Sequence, residues 1–243
     1  MTLTLAIDTA TEVAGIAVGR ERQVLVELSL PGRRHAAALL PGVTAALQAA
    51  GAHLGDVSRV LCSDGPGSFT GLRIGFATVQ GIARGNEAVT VGTLPSLLAT
   101  AWSAAPWSEA GRVAAVYDAL RGDIFGAVYE FATGGVTALV APGLFPFDEM
   151  VRRCPATPDV VVGDVGVLSA DAVVRWTGRP AVNGTRVGAR AAALLALDGV
   201  AGGIHEIPDV FAFEPDYGRP AEAQTRWERS HGRAMPDSGG EYR

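Results

Sequence analysis

What most constrains this chain is the order in which its apolar runs change period. Leu3-Thr4-Leu5-Ala6-Ile7 reads as a strand that stops at Asp8-Thr9, and residues 13–18 and 24–30 read as two more. From His35 to Ala50 the spacing becomes helical, with Ala36, Leu39, Leu40, Val43, Leu47 and Ala50 in phase, Pro41 placed to kink the first turns and Gly51 at the C-cap position. A buried-type strand at 59–63, a helix from Thr70 to Arg84, a strand at 88–91 and a helix at 94–104 follow. Three strands and then alternating helices and strands require a mixed sheet with helical crossovers, hence an α/β layer structure.

With 243 residues there is room for a second lobe. The first is expected to span 1–106. After a connector at 107–111, a hairpin pairs 112–118 with 124–131 across Ala119-Leu120-Arg121-Gly122-Asp123. A strand at 159–163 and helices at 165–176 and 186–197 then repeat the first lobe in abbreviated form through 107–234, leaving 235–243 as a frayed tail.

Composition removes several chemistries. All 20 basic residues are Arg, so a Walker A loop, a Schiff-base lysine and a lysine general base are excluded. A net charge of −5 argues against direct binding along a nucleic-acid backbone, and the cluster Arg219, Arg226, Arg229, Arg233 is interrupted by Glu222 and Glu228. Cys62 and Cys154 form neither a C-x-x-C nor a disulfide framework. No basic leader and no membrane-length apolar run stand in the sequence, so a cytoplasmic location without membrane contact is expected.

The strongest local signal is the glycine run Ser63-Asp64-Gly65-Pro66-Gly67-Ser68-Phe69-Thr70-Gly71-Leu72-Arg73-Ile74-Gly75, set between a strand and a helix. Amides at such a helix start can hold a phosphate, with Asp8 and Thr9 facing it from the end of the first strand. On spacing alone the same residues read sooner as a tight turn, with Ser68 or Thr70 as N-cap and glycines that let backbones approach. The G-x-G-x-x-x-G spacing, with Glu87 ahead of the next strand, does not make a dinucleotide fingerprint. On the helix that follows, Gly71, Gly75 and Thr78 form a face with almost no side chain, suited either to a partner helix or to the chain's own packing. His35, His53, His205 and His231 lack metal-ligand spacing, no Ser sits in a G-x-S-x-G elbow, and Asp164-Val165-Gly166 reads as a phosphate turn or a plain turn.

Ala6-Ile7-Asp8-Thr9-Ala10-Thr11-Glu12, His35 with Leu39-Leu40-Pro41, the run Gly65 to Gly75, Gly92 with Ser96-Leu97, Asp118-Ala119 before Phe125, and Glu214-Pro215-Asp216-Tyr217-Gly218-Arg219 together resemble the YeaZ/TsaB family. Leu120 and Gly218 depart from its pattern. The resemblance implies a two-lobed actin-like ATPase fold and a scaffold for threonylcarbamoylation of N6 of adenosine 37 in tRNAs reading codons that begin with A. It implies no catalytic residue, no metal and no cofactor on this chain alone, with ATP and metal on partner subunits. The partners implied are a TsaD-like transferase in a heterodimer and a TsaE-like ATPase, with tRNA met only indirectly. In the partner's absence the same face would serve a homodimer. The interface residues carried over are His35, Leu39, Ala46, Gly71, Arg73, Gly75 and Thr78, with a vestigial phosphate loop at Asp8, Thr9, Gly65, Gly67 and Ser68.

Two other functions compete. An active actin-like kinase or ATPase would use Asp8, the glycine loop and Asp164, and Ala10 stands where its phosphate loop wants glycine. A peptidase lacks both a metal-ligand set and a nucleophile elbow. If the small face is exposed, Gly75→Leu should weaken partner binding and leave folding intact.

Overall fold

The computed structural model describes residues 2–30, 32, 35–103, 111–120, 122–183, 190–219 and 230. Two sheets form its frame. β1 (Leu3–Asp8) is the axis of the first, pairing antiparallel with β2 (Ala14–Arg20), which pairs with β3 (Gln23–Leu30) at the edge. On its other side β1 runs parallel to β4 (Arg59–Gly65), and β4 to β5 (Thr90–Pro95). The second sheet repeats this plan. β6 (Gly111–Asp118) pairs antiparallel with β7 (Ile124–Ala132), which pairs with β8 (Gly135–Phe145), and parallel with β9 (Val160–Gly163), which flanks β10 (Val182–Asn183).

The helices follow the same repeat. α1 (His35–Ala49) and α2 (Phe69–Gly85) sit between the same strands of the first lobe as α4 (Phe147–Arg153) and α5 (Ala170–Thr177) in the second. α3 (Ser96–Ser103) and α6 (Arg190–Leu197) each follow the last crossover strand of a lobe and pack against each other. α3 lies on β6, β7 and β9, whereas α6 lies on β1, β2 and β3, so the two helices form the layer between the sheets. Leu97, Leu98, Leu194 and Leu195 fill that layer with Ala17, Ala115 and Ala127, whose small side chains let helix and sheet approach closely. A second apolar cluster joins α1 and α2 to the outer face of the first sheet, and a third joins α4 and α5 to the second sheet.

The two sheets divide between β5 and β6, and the expected boundary at 106 with the connector at 107–110 lies outside the described residues. Residues 107–234 are not one lobe, however. β11 (His205–Glu206) pairs antiparallel with β5, which makes it the edge of the first sheet. Arg59 fixes this return: it forks onto Asp198 at 2.9 Å just past α6, and onto Glu206 of β11. From there the chain runs back over α2, where Phe213 stacks on Phe76 with ring centres 5.0 Å apart and Gln80 donates to the Val210 carbonyl at 3.0 Å. The helix expected at 165–176 begins at Ala170, because Ser169 caps it by accepting from Ala172 N; residues 165–167 are a short turn before it. The tail at 235–243 lies outside the described residues.

Candidate functional site at the junction of the lobes

In layered α/β proteins, ligands gather beyond the C-terminal ends of the parallel strands. Here β1 ends in Asp8, β4 runs into the glycine loop, β6 ends in Asp118 and β9 is followed by Asp164. Asp164 ties the second set together, its own N–H donating to Val116 O while its carboxylate accepts from Asp118 N.

Asp8 is fully buried and both its oxygens are engaged. Oδ1 accepts from Ala10 N at 3.0 Å and from Ser63 Oγ at 2.6 Å; Oδ2 is ion-paired with Arg190 Nε. Arg190 opens α6, is 5% exposed, and also donates through one Nη to Thr11 Oγ1 and to Val13 O at 2.7 Å. A two-lobed actin-like fold implies a metal-bound nucleotide at this junction, and the residues present do not fit one. The carboxylate that would face it already has both oxygens engaged, by Ala10 N, Ser63 Oγ and the Arg190 guanidinium. No sequence signal marked Arg190, which falls inside the helix expected at 186–197 without any local sign that it is buried.

The glycine loop is folded down onto the β1–β2 turn. Ser68 N donates to Ala10 O at 2.7 Å, and a Cβ on Gly67 would stand 2.4 Å from that same oxygen. Ser68 caps α2 by accepting from Gly71 N at 3.2 Å. Gly65, at φ +115, lies under the returning C-terminal segment, and a Cβ there would be 1.8 Å from Asp216 O. Of the two readings that the run allowed, the close-approach turn is the one this geometry displays.

The small face of α2 needs correction. Gly71 and Gly75 are buried against the chain's own Thr9: added Cβ atoms would meet Thr9 O at 2.1 Å and Thr9 Oγ1 at 2.3 Å. Packing is thus intramolecular, but within the first lobe. Thr9 Oγ1 has no hydrogen-bond partner. Leu39 and Ala46 are buried in the core beneath α1, and half-buried Thr78 donates to Ile74 O at 2.9 Å. Only the backbone of His35 lies among what is described, as the first residue of α1.

Among the residues that α1 and α2 show to solvent are Leu40 (55% exposed), Phe69 (45%), Thr44, Ala45, Arg73 and Ala77. Arg73 lies over the Phe69 ring at 5.2 Å, and Tyr217 stacks on Phe69 at 4.6 Å. The departures at Leu120 and Gly218 also find a place. Leu120 has φ +61 in the β6–β7 turn, and a Cβ on Gly218 would stand 2.5 Å from Phe125, over which Arg219 lies.

Asp64 is mostly buried, and that desolvation pushes its carboxyl up to about 6 against the hydrogen bond from Thr93. Burial likewise raises the Cys62 thiol, helped by Asp8 and Asp64, which keeps it protonated and unreactive. Among the described residues, no cluster of three or more His, Cys, Asp or Glu is placed to hold a metal ion, and no helix is long and apolar enough to cross a membrane.

The duplicated sheets, the two helices between them and the strand-end acids define a two-lobed protein of the actin-like ATPase class. A family model described as tRNA N6-adenosine threonylcarbamoyltransferase (TsaD) matches residues 29–161, more than half of the chain. The chain is 28% identical over 229 residues to the tRNA threonylcarbamoyladenosine biosynthesis protein TsaB of Bacillus subtilis, covering 92% of this chain and 96% of that one. It is 37% identical over 134 residues to the Escherichia coli protein of the same name, a match spanning 54% of this chain and 57% of that relative. The solved structure of YeaZ from Pseudomonas aeruginosa superposes with a TM-score of 0.66 at 28% identity, covering 82% of this chain and 91% of that one. The chain belongs to the YeaZ/TsaB family.

Proposed function

We propose that this protein takes part in the synthesis of threonylcarbamoyladenosine in tRNA, as a non-catalytic subunit that binds and supports a TsaD-like transferase. The role rests on the nearly end-to-end similarity to the B. subtilis protein named for that pathway. The non-catalytic part is supported by Asp8, whose oxygens are both held by the chain itself. ATP and metal then belong to the partners, the transferase and a TsaE-like ATPase, and tRNA is reached through the complex. The partner face is assigned to the outer sides of α1 and α2, led by Leu40, Phe69 and Arg73, because these carry exposed apolar surface next to an aromatic–arginine stack.

Co-expression with a TsaD-like transferase followed by gel filtration tests this reading. The two chains are expected to co-elute, Leu40→Asp is expected to separate them with the melting temperature unchanged, and this chain alone is expected to turn over no ATP. Independent elution, or ATP turnover that is lost in Asp8→Ala, would overturn it.

A further inference from the structure

We propose that Arg190 is a resident cation: the junction of the lobes is a guanidinium socket that the chain fills with its own side chain. The proposal deepens the non-catalytic reading by saying what occupies the place of a charged ligand. Three acceptors converge on the group, namely Asp8 Oδ2, Thr11 Oγ1 and the Val13 carbonyl. Two different nitrogens of one guanidinium, Nε and an Nη, reach them, which a fork can do and a single ammonium point charge does less well. The socket is built, not incidental, since Asp8 is itself held by Ala10 N and Ser63 Oγ, both belonging to the β1–β2 turn and the end of β4. Further negative potential comes from Asp164, and Tyr117 lies close enough to feel the charge.

The chemistry follows from burial. A carboxylate with no exposure is tolerated only when paired, and a guanidinium with 5% exposure likewise. The fork spans two elements that are 182 residues apart in sequence, tying the start of α6 to the floor of the first sheet. It therefore fixes the central helix layer at the same point where it satisfies Asp8. Nε of the guanidinium serves Asp8 and one Nη serves both Thr11 Oγ1 and the Val13 carbonyl, so one arginine fork satisfies all three acceptors.

Melting of the isolated full chain tests the socket without any partner, so its failure is separable from failure of the transferase reading. Arg190→Ala is expected to melt about 10 °C below wild type, the fall that breaking one side of a buried pair gives in a chain of this size. Millimolar guanidinium is expected to recover a substantial part of that loss, and sodium chloride or magnesium chloride at equal ionic strength is not. A melting temperature equal to wild type, equal recovery by sodium, or greater recovery by magnesium would each overturn the proposal. Should Arg190→Ala fail to fold, the neutral pair Asp8→Asn with Arg190→Gln decides: it is expected to melt above either single variant, and a double variant no better than the sum of the singles would overturn the pairing.

Discussion

The two lobes share one plan and differ in how much helix they hang on it. In the first, α1 has 15 residues and α2 has 17; their counterparts α4 and α5 have 7 and 8. Apart from β11 at the edge of the first sheet, strand order and direction are the same in both, so the sheet is what the repeat preserves, and the helical outer layer is what varies. The difference has a physical consequence. A helix of about two turns contributes little surface beyond what covers its own sheet, whereas α1 and α2 are long enough to bury one side and still expose Leu40, Phe69 and Arg73 on the other. The lobe that keeps long helices is thus the one with surface to offer. The returning segment through Phe213 and Tyr217 adds to it, since it too packs on α2.

The sharpest way to break the equivalence is at the glycines that close β4 and β9. Gly65 has φ +115 and would set a Cβ 1.8 Å from Asp216 O; Gly163 has φ +108 and would set one 2.0 Å from Val116 O. Ala at either position meets both a disfavoured backbone region and a fixed carbonyl, so each substitution should cost more than about 3 kcal/mol. Chemical denaturation reads the loss. If Gly163→Ala were tolerated while Gly65→Ala was not, the second lobe would be the looser copy, and the likeness would be one of topology alone.

Next in size is Gly75→Leu. The sequence left open whether the small face of α2 meets a partner or its own chain, and the first option kept the fold intact. With Thr9 Oγ1 only 2.3 Å from the added Cβ, overpacking should cost about 2 to 3 kcal/mol, seen as a lower melting temperature. A variant that melts like wild type and fails to bind a transferase would restore the exposed-face assignment.

Gly75 also illustrates what a sequence makes legible. The strands β1 to β7 and β9, the crossover helices of the first lobe and the Ser68 cap stand in local patterns, because each is set by period or by capping chemistry within a few residues. Which side of α2 is buried does not, since a row of Gly71, Gly75 and Thr78 is compatible with any close neighbour. β8 carries Pro142 and Gly143 in an edge strand whose alternation is weak, and α4 is too short to display a helical stripe. β11 is two residues long. Arg190 is harder still: its meaning depends on Asp8, 182 residues away, and nothing local distinguishes a buried arginine from a solvated one. Sequence reasoning singled out Asp8 with the glycine loop, and it did not single out Arg190, which pairs with Asp8.

The strand-end acids give a smaller contrast. Asp64 is the penultimate residue of β4, under cover, with its carboxyl pushed up to about 6 by desolvation; Asp164 follows β9, is also raised by desolvation, and is nearer to water. A carboxyl whose folded pKa exceeds its unfolded value of 3.8 favours folding when protonated, so its contribution is complete at low pH and is lost as pH rises through about 6. Asp64→Asn keeps the shape and removes the titration. It should stabilise the protein by about 1 to 2 kcal/mol near pH 8 and remove part of the decline between roughly pH 4 and 6. A variant whose pH profile parallels wild type would mean that Asp64 is solvated after all.

The smallest effect separates helix length from helix packing within the first lobe. Gly81 lies on α2, is exposed, and would place a Cβ with nothing within 4 Å, so it differs from Gly75 in surroundings alone. Gly81→Ala should therefore stabilise by about 0.8 kcal/mol through backbone entropy, which for a chain of this size raises the melting temperature by about 2 °C. The sign is what matters: two glycines of one helix, six residues apart, are expected to respond in opposite directions because one touches Thr9 and the other touches water. Loss of stability in Gly81→Ala would show that the outer side of α2 is already covered, by the returning C-terminal segment or by a second copy, and the assignment of that side to a partner would fall with it.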